Sequence, residues 1–344
     1  MESLVAGSAG SKIFVATSLS WRFDINSFEA AASNKEVRLR FTDDVPHPRV
    51  QVPAKRRSSS ARVLLRACRP RQWSKNLLVL AAPCAAGVID RPLVALQAAG
   101  AFIMLCALSS ATYLVNDVRD REEDRLHPRK RTRPVAAGEL SPSAALWAAV
   151  VLALAGVGMA AAIDPKLGAV GLGYLALTAS YSLWWRNVVV LDILAIAAGF
   201  VLRALAGGVA TDIYLSRWFV IVTGCCAIFL VAAKRYAELR AHAARVAARA
   251  TLARYSAGNL RLILVSAAAL AGVAYTSWAF TRPSHIIWYG LSIAPFLLWL
   301  ARYGKLVGAG TGEAPEELIL HDRALLALGA SWMVLFLGGV YIGQ

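Results

Sequence analysis

Three aspartates follow a long apolar stretch at a spacing that brings them together on a helix. Asp117, Asp120 and Asp124 come directly after an apolar run that ends at Val115. Each residue of an α-helix turns by about 100°, so Asp120 and Asp124 fall within about 60° of Asp117. Carboxylates this close repel one another at a membrane boundary, where water screens charge poorly, and a compensating cation is expected. Hard oxygen ligands favour Mg²⁺, which often joins one or two carboxylates to substrate phosphates. Together with Asn116, the three aspartates form the predicted ligand set.

The alternative is an ordinary solvated helix end. In that interpretation the acidic side chains form intrahelical pairs, such as Asp117 with Arg121 at a spacing of four residues. The preceding apolar run favours the metal site, because acidic groups next to a membrane span are costly.

Four cations come next, namely Arg129, Lys130, Arg131 and Arg133. Arginine offers a planar fork to phosphate oxygens and lysine a point charge, so Lys130, Arg131 and Arg133 are predicted to bind phosphate. They also suit the cytoplasmic flank of a membrane span, and both roles can hold at once.

A second pair of charged residues lies inside an apolar run. Asp192 and Arg203 are eleven residues apart and share a helix face, but three turns separate them by about 16 Å. They cannot pair directly, so each needs another partner. Charged residues within a membrane span are rare and usually functional, although a structural role stays open for both.

Other polar residues flank the apolar runs at the same predicted end, and they are further candidates for substrate binding. They are Lys75, Asn76, Tyr181, Arg186, Lys234, Arg235, Glu238 and Tyr255. Residues 241–254 have the pattern of an amphipathic helix lying in the membrane interface. The arginines of 234–261 can therefore contact lipid head groups instead of substrate.

The elements that must position these residues are membrane spans. The chain has 344 residues, of which 58% are hydrophobic, and a net charge of +16. In so apolar a chain the basic residues favour membrane flanks over nucleic-acid binding. Nine apolar runs are candidates: Leu77–Ile89, which is short and contains Pro83, then Leu93–Val115, Ala144–Ile163, Leu167–Trp185, Val188–Val209, Trp218–Ala233, Leu262–Phe280, His285–Ala301 and Ala324–Ile342.

The distribution of basic residues predicts an orientation. With the N-terminus inside, the cytoplasmic segments hold 23 Lys or Arg and the outer ones 4, as the positive-inside rule requires. Nine spans put the C-terminus outside. Residues 1–61 are polar, show no signal peptide, and are predicted to be a disordered cytoplasmic tail, with a partner-binding arm as the alternative. Residues 62–344 would form the transmembrane domain. The five cysteines lack metal-ligand spacing and are predicted to be core residues.

The motifs together resemble the UbiA superfamily of intramembrane prenyltransferases. The resemblance covers about residues 69–344. Within the superfamily, the chain most closely resembles the phosphoribosyltransferase branch. It is carried by RPRQWSKN (69–76), NDVRDREEDRLHPRKRTRPVAAGEL (116–140), YSLWWRNVVVLDILAIAAGFVLRALAGG (181–208), AAKRYAELR (232–240) and ARYSAGNLR (253–261).

The resemblance implies a nine-helix bundle in the cell membrane, with a Mg²⁺-dependent site facing the cytoplasm. Asn116, Asp117, Asp120 and Asp124 would hold Mg²⁺ and diphosphate, and Asp192 would lie on the ribose or metal side. The listed cations would engage phosphates. Typical members carry a second DxxxD motif, but here Ile196 stands four residues after Asp192. That departure fits the phosphoribosyltransferase branch, in which phosphoribosyl diphosphate is the soluble donor and a polyprenyl phosphate such as decaprenyl phosphate the acceptor, for arabinan precursors of the cell wall.

Two other functions stay open. One is transfer of an isoprenoid from its diphosphate to an aromatic or other acceptor. The other is transport or lipid binding without chemistry, which the odd number of spans disfavours because it makes an inverted repeat awkward. The sequence leaves homo-oligomerisation open.

Overall fold

The structure, a computed structural model, describes residues 60–185, 188–242, 256–282, 285–311 and 315–342. Over these ranges the chain is helical and contains no strands. Twelve α-helices are present in the described residues: α1 (Ser60–Ala67), α2 (Ala81–Ala85), α3 (Pro92–Arg119), α4 (Arg121–Leu126), α5 (Pro142–Ile163), α6 (Pro165–Leu183), α7 (Val189–Ala210), α8 (Arg217–His242), α9 (Ala257–Phe280), α10 (Ile286–Gly308), α11 (Pro315–His321) and α12 (Arg323–Tyr341). Two 3₁₀ helices, Pro70–Leu80 and Lys130–Thr132, complete the set.

Seven of the described helices are long and apolar enough to cross a membrane: α3, α5, α7, α8, α9, α10 and α12. They match seven of the nine predicted spans. An eighth, α6, matches the predicted span Leu167–Trp185, but polar residues such as Lys166 and Thr178 lower its mean hydropathy. The count of nine and the orientation of the termini are therefore not confirmed.

The first predicted span, Leu77–Ile89, is not one straight helix. Its residues 77–85 belong to the 3₁₀ helix Pro70–Leu80 and to the five-residue α2, both of which pack against α7, and residues 86–89 are turn and irregular structure. The 3₁₀ backbone comes unusually close to α7, because a Cβ added to Gly207 would lie 1.9 Å from the Val79 carbonyl oxygen. Only glycine permits this approach.

The long helices pack around two main apolar clusters. One cluster joins the 3₁₀ helix Pro70–Leu80 with α3, α5, α6 and α7, and includes Met104, Leu108 and Leu167. The other joins α8, α9, α10 and α12, and includes Phe229 and Tyr303. Many apolar residues of the long helices lie outside these clusters. In the most apolar stretch of α5, for example, only 17% is buried inside the protein. Such outward apolar faces suit contact with lipid.

The helix ends near the aspartates are shaped by local sequence. Ser141 begins α5 by accepting a hydrogen bond from the Ala144 N–H, and Pro142 takes the first helical position, where its missing N–H costs nothing. Between α3 and α5 the chain folds back through α4 and the 3₁₀ helix Lys130–Thr132. This return carries the cations of that loop back over the end of α3.

The predicted tail lies outside the described residues, except that Ser60 and Ala61 begin α1. The described residues all belong to one compact unit, Arg57–Gln344. All five cysteines are free, as predicted, and Cys68 and Cys106 are buried. Most of the predicted amphipathic segment 241–254 also lies outside the described residues.

Candidate active site

The aspartates do not form one continuous helical stripe, so that prediction is wrong. Helix α3 ends at Arg119, and Asp120 takes φ −90° and ψ 13° before α4 begins. Asp117 lies in the last turn of α3 and Asp124 in α4, and each is only 1% exposed. The bend turns the chain while keeping these two carboxylates near each other.

Arginine joins the two buried carboxylates. Nη1 of Arg133 donates to Oδ1 of Asp117 at 3.2 Å and to Oδ2 of Asp124 at 2.6 Å. Lys130 Nζ lies 3.7 Å from Oδ1 of Asp124, and Arg69 donates to Oδ1 of Asp117. Two of the cations predicted to bind phosphate, Lys130 and Arg133, are thus at the aspartates. The third, Arg131, is exposed in the same loop.

The cations around Asp117 and Asp124 do not provide a partner for every carboxylate oxygen. Oδ2 of Asp117 is buried and has no hydrogen-bond partner among the described residues. An unpartnered buried carboxylate oxygen is costly, and a hard oxygen donor is the type of ligand that Mg²⁺ takes. The residues therefore fit a divalent cation in their chemistry. In the described part of the chain, however, no three His, Cys, Asp or Glu side chains are gathered tightly enough to hold a metal. The structure brings Asp117 and Asp124 together, while Asn116 and Asp120 are half-buried beside them.

Asp192, a further buried carboxylate, has partners at both of its oxygens. Arg235 donates to Asp192 with two N–H groups, Nε to Oδ2 at 2.6 Å and Nη2 to Oδ1 at 2.9 Å. The Tyr181 hydroxyl donates to Oδ1 at 2.9 Å, and Nη1 of Arg235 reaches Glu238 at 2.7 Å. Asp192 and Arg235 are 2% and 6% exposed. Four predicted site residues, from α6, α7 and α8, thus form one buried network.

Arg119 connects the end of α3 that carries Asp117 with the end of α6 that carries Tyr181, a partner of Asp192. Its guanidinium donates to the carbonyl of Ser182 on α6, one residue from Tyr181. The ends of α3, α6, α7 and α8 that carry charged residues therefore lie at the same end of the bundle.

Arg203 and Asn76 form a third, separate network. The guanidinium of Arg203 donates to Asn76 Oδ1 at 2.9 Å, to the Tyr174 hydroxyl at 2.8 Å and to the Gly199 carbonyl at 2.8 Å. Nδ2 of Asn76 in turn lies 3.3 Å from Ser109 Oγ. As predicted, Arg203 and Asp192 have different partners. These hydrogen bonds join the 3₁₀ helix to α3, α6 and α7, and none of them reaches the aspartates.

The remaining predicted site residues are less defined. Lys75 Nζ donates to Gln72 Oε1 at 2.6 Å, on the 3₁₀ helix. Lys234 is half-buried on α8, next to Arg235. Arg186 and Tyr255 lie outside the described residues.

Three contributors were not singled out from the sequence: Arg69, Arg119 and Tyr174. Arg69 takes a left-handed backbone conformation, φ 55° and ψ 61°, and its guanidinium lies 4.8 Å from the ring centroid of Tyr113. Its place directly before Pro70, between two short helices, was the available signal. Arg119 and Tyr174 offered none, because their partners are a distant backbone carbonyl and a residue of another helix.

The arrangement defines an all-helical membrane protein with a charged, partly buried site at one end of its bundle. The UbiA prenyltransferase family matches residues 77–329, which is well over half of the chain. The chain belongs to this family, and the resemblance inferred from its motifs is confirmed.

Relatives and solved structures agree with the assignment. The chain is 38% identical to the decaprenyl-phosphate phosphoribosyltransferase of Corynebacterium glutamicum, over 91% of this chain and 98% of the relative. It is 40% identical to the enzyme of that name from Mycobacterium tuberculosis, over 78% of this chain and 91% of the relative. A UbiA homolog from Archaeoglobus fulgidus, solved bound to DMAPP and Mg²⁺, has the same fold with a TM-score of 0.64 at 17% identity, covering 81% of this chain and 99% of that one.

Proposed function

We propose that the chain transfers the 5-phosphoribosyl group of phosphoribosyl diphosphate to a polyprenyl phosphate, such as decaprenyl phosphate, and releases diphosphate. The relatives named for this activity match it along nearly their whole length. The structural observation that carries the proposal is the environment of Asp192. Ile196, four residues on, packs in an apolar cluster with Ile193, Val231 and Leu260, so a second carboxylate is absent at the position where typical members of the family have one.

The acidic cluster is the proposed site for Mg²⁺ and diphosphate. Asp117 and Asp124 would hold the metal, with Asn116 and Asp120 beside them. Mg²⁺ bound there supplies positive charge for the departing diphosphate. Arg69, Lys130 and Arg133 contact the two carboxylates, and a bound diphosphate would offer the same cations stronger anionic partners. Arg131 and Lys75 are further phosphate-binding candidates.

The transfer needs few groups for proton movement. An oxygen of the polyprenyl phosphate, already anionic, forms a bond to the anomeric carbon of ribose as the bond from that carbon to the diphosphate oxygen breaks. No proton has to be removed from the nucleophile, so a strong general base is not required. The protein's task is to orient the two substrates and stabilise charge.

Asp192 is proposed to lie on the ribose side of the substrate. Its carboxylate is fixed by Arg235 and Tyr181, and a carboxylate has lone pairs beyond those that these donors occupy. A held carboxylate can accept hydrogen bonds from ribose hydroxyls. Lys234 and Arg186 are assigned to the substrate phosphates, as the resemblance implies, and Glu238 and Tyr255 stay further candidates for substrate binding. Arg203 and Asn76, predicted from sequence to bind substrate, are assigned here to holding the 3₁₀ helix that carries Lys75.

The location of the site follows from the substrates. The donor is water-soluble, and most basic residues are predicted on the cytoplasmic side. We therefore place the charged end of the bundle at the cytoplasmic face of the plasma membrane, with nine membrane-crossing segments and residues 1–61 as a cytoplasmic tail.

Transfer of an isoprenoid from its diphosphate is the second candidate. It is favoured by the fold shared with the DMAPP-bound UbiA homolog and by the family as a whole. The two candidates differ in the donor, which makes them separable by assay.

The test supplies membranes that contain the full chain with phosphoribosyl diphosphate carrying ³²P in its 5-phosphate, decaprenyl phosphate and Mg²⁺, and follows label into the organic phase. Label should require Mg²⁺ and disappear with EDTA. Asp124→Asn should lose transfer, while Glu122→Gln, on the same short helix but exposed and paired with Arg125, should keep it. Consumption of a prenyl diphosphate supplied to the same membranes in a parallel assay, with no lipid-linked ³²P in the first, would establish the second candidate instead.

A further inference from the structure

A groove of about 660 Å³ opens between α8, α9 and α10. Its volume lies within the roughly 300–1,000 Å³ that small-molecule sites occupy. Phe229 on α8, Leu264 on α9 and Leu297 on α10 form part of its apolar wall. Small residues make the space, since Gly304 and Ala301 lie where larger side chains would fill it. Both Ala301 and Val265 are exposed, so the groove opens sideways, toward lipid.

One end of the groove is lined by three cations. Arg240 lies in the last turns of α8, Arg261 in the second turn of α9 and Lys305 in the last turn of α10. All three are exposed. Arg240 also caps α10 by donating to the Gly308 carbonyl at 2.6 Å. Among the described residues, the lining contains no Asp or Glu, so this end of the groove carries positive charge without an anionic partner of its own.

The groove is separate from the candidate active site. On α8, Phe229, Tyr236 and Arg240 are spaced by seven and four residues and share the face toward the groove. Arg235 and Glu238 turn toward Asp192 instead. Helix α8 thus stands between the two, and the groove needs an occupant different from the proposed substrates.

Length and charge identify that occupant. From Arg240 to Phe229 the groove follows eleven residues of α8, or about 16 Å at 1.5 Å per residue. This is about half the roughly 30 Å of a bilayer's hydrocarbon core, which is the depth of one leaflet. An acyl chain of a phospholipid matches that depth, whereas a chain of ten isoprene units is far longer.

We propose that the groove binds an anionic glycerophospholipid of the adjoining leaflet. The phosphate group lies among Arg240, Arg261 and Lys305, and one acyl chain follows the apolar wall past Leu264 and Ala301. Basic pockets between membrane helices bind anionic head groups in this way. The site is independent of catalysis and is tested without turnover.

The experiment titrates detergent-purified full-length protein with dioleoyl phosphatidylglycerol and follows bound lipid by native mass spectrometry. Dioleoyl phosphatidylcholine and decaprenyl phosphate are the comparison lipids. In the double variant Arg261→Ala/Lys305→Ala, binding of phosphatidylglycerol should weaken about 25-fold, at about fivefold for each cation. The matched control, Arg62→Ala/Arg323→Ala, removes two exposed arginines that do not line the groove, and should bind as the unaltered chain does.

A second variant tests the apolar wall. Gly304→Leu adds a side chain whose Cβ meets only Leu264 Cδ2 at an ordinary 3.8 Å, so the fold accepts it while the groove fills. It should lower phosphatidylglycerol affinity at least tenfold and leave all the cations in place. Unchanged binding in Gly304→Leu, or equal losses in the double variant and its control, would show only general surface attraction and overturn the proposal. Preferential binding of decaprenyl phosphate, lost in Arg261→Ala/Lys305→Ala, would overturn the assignment of the occupant.

Discussion

Asp117 and Asp192 are both buried at the same end of the bundle and both contact arginine, but their partners differ. Asp192 uses both carboxylate oxygens, which accept from two N–H groups of Arg235 and from Tyr181. Asp117 accepts from Arg69 and Arg133 at one oxygen only, and the other has no partner among the described residues. Removing one partner of a fully hydrogen-bonded buried ion pair leaves the other charge buried and uncompensated, which is strongly destabilising. A carboxylate left partly unsatisfied has capacity for a further ligand. The comparison separates a carboxylate held by the protein alone from one that can take a cation.

The largest effect on stability is expected at the complete pair. Arg235→Leu leaves Asp192 buried without its guanidinium, and should lower the free energy of unfolding by about 3–5 kcal/mol. The measurement is unfolding of the detergent-purified chain by increasing denaturant.

Arg302→Leu is the matched control, because Arg302 also pairs with an aspartate, Asp322, at 2.7 Å but is 38% exposed. An exposed pair contributes far less. Equal losses in the two variants would contradict the view that burial makes the Asp192 pair structural.

The largest effect on activity is expected at the incomplete cluster. Asp117→Asn keeps the shape of the side chain but removes its charge, and should lower the transfer rate about 10²–10³-fold, the range for loss of one electrostatic group in an active site. Its unfolding should change much less than that of Arg235→Leu, because the structure gives one of its oxygens no partner to lose. Initial rates across a Mg²⁺ titration are the measurement, with half-saturation moving to higher Mg²⁺.

Asp192→Asn completes the comparison. The same substitution there leaves Arg235 buried beside a neutral amide, so stability should fall along with activity. If Asp117→Asn instead unfolds the chain while Asp192→Asn does not, the roles assigned to the two carboxylates are reversed.

A smaller effect is expected in the network that contains no carboxylate. Arg203→Lys keeps the charge but replaces three directed donors, to Asn76, Tyr174 and Gly199, with one ammonium group. The expected loss is about 1.5–3 kcal/mol, the range for a hydrogen bond to a charged group. Asn76→Ala should cost a similar amount, and the double variant should cost less than the sum, because both substitutions break the same bond. Additive losses would show that the Arg203 to Asn76 bond does not hold the 3₁₀ helix.

The sequence predicted the family, the helical class and seven of the spans, but not the partners of the buried charges. Spacing on one helix showed that Asp192 and Arg203 cannot pair, and this holds. Periodicity failed at Asp120, because a helix end depends on the loop that folds back over it, which carries Arg133. The sequence prediction was also wrong at Leu77–Ile89. An apolar run indicates that a segment is buried, but it does not distinguish a 3₁₀ helix from an α-helix. The close approach of Val79 to Gly207 is a contact between distant segments, and no local pattern encodes it.

The smallest effect concerns a carboxylate at the bundle's charged end that is neither buried nor in the site. Asp322 lies outside the spans, begins α12 by accepting from the Leu325 N–H at 2.8 Å, and pairs with Arg302. The hydrogen bond from Arg302 and the backbone N–H lower the pKa of Asp322 below its usual value. A lowered folded-state pKa gives stability that is fully present above the unfolded pKa, about 3.9, and is lost as the pH falls through the folded value.

The measurement is the unfolding temperature of the unaltered chain as a function of pH. The contribution of the Asp322 charge to that temperature should be constant from pH 7 to about pH 5 and should decrease below about pH 4. Asp322→Asn keeps a capping oxygen but has no titrating group, so its unfolding temperature should be slightly lower at pH 7 and should converge on that of the unaltered chain in acid. Equal unfolding temperatures of the two chains at pH 7 as well as in acid would mean that the cap, and not the charge, is what Asp322 contributes.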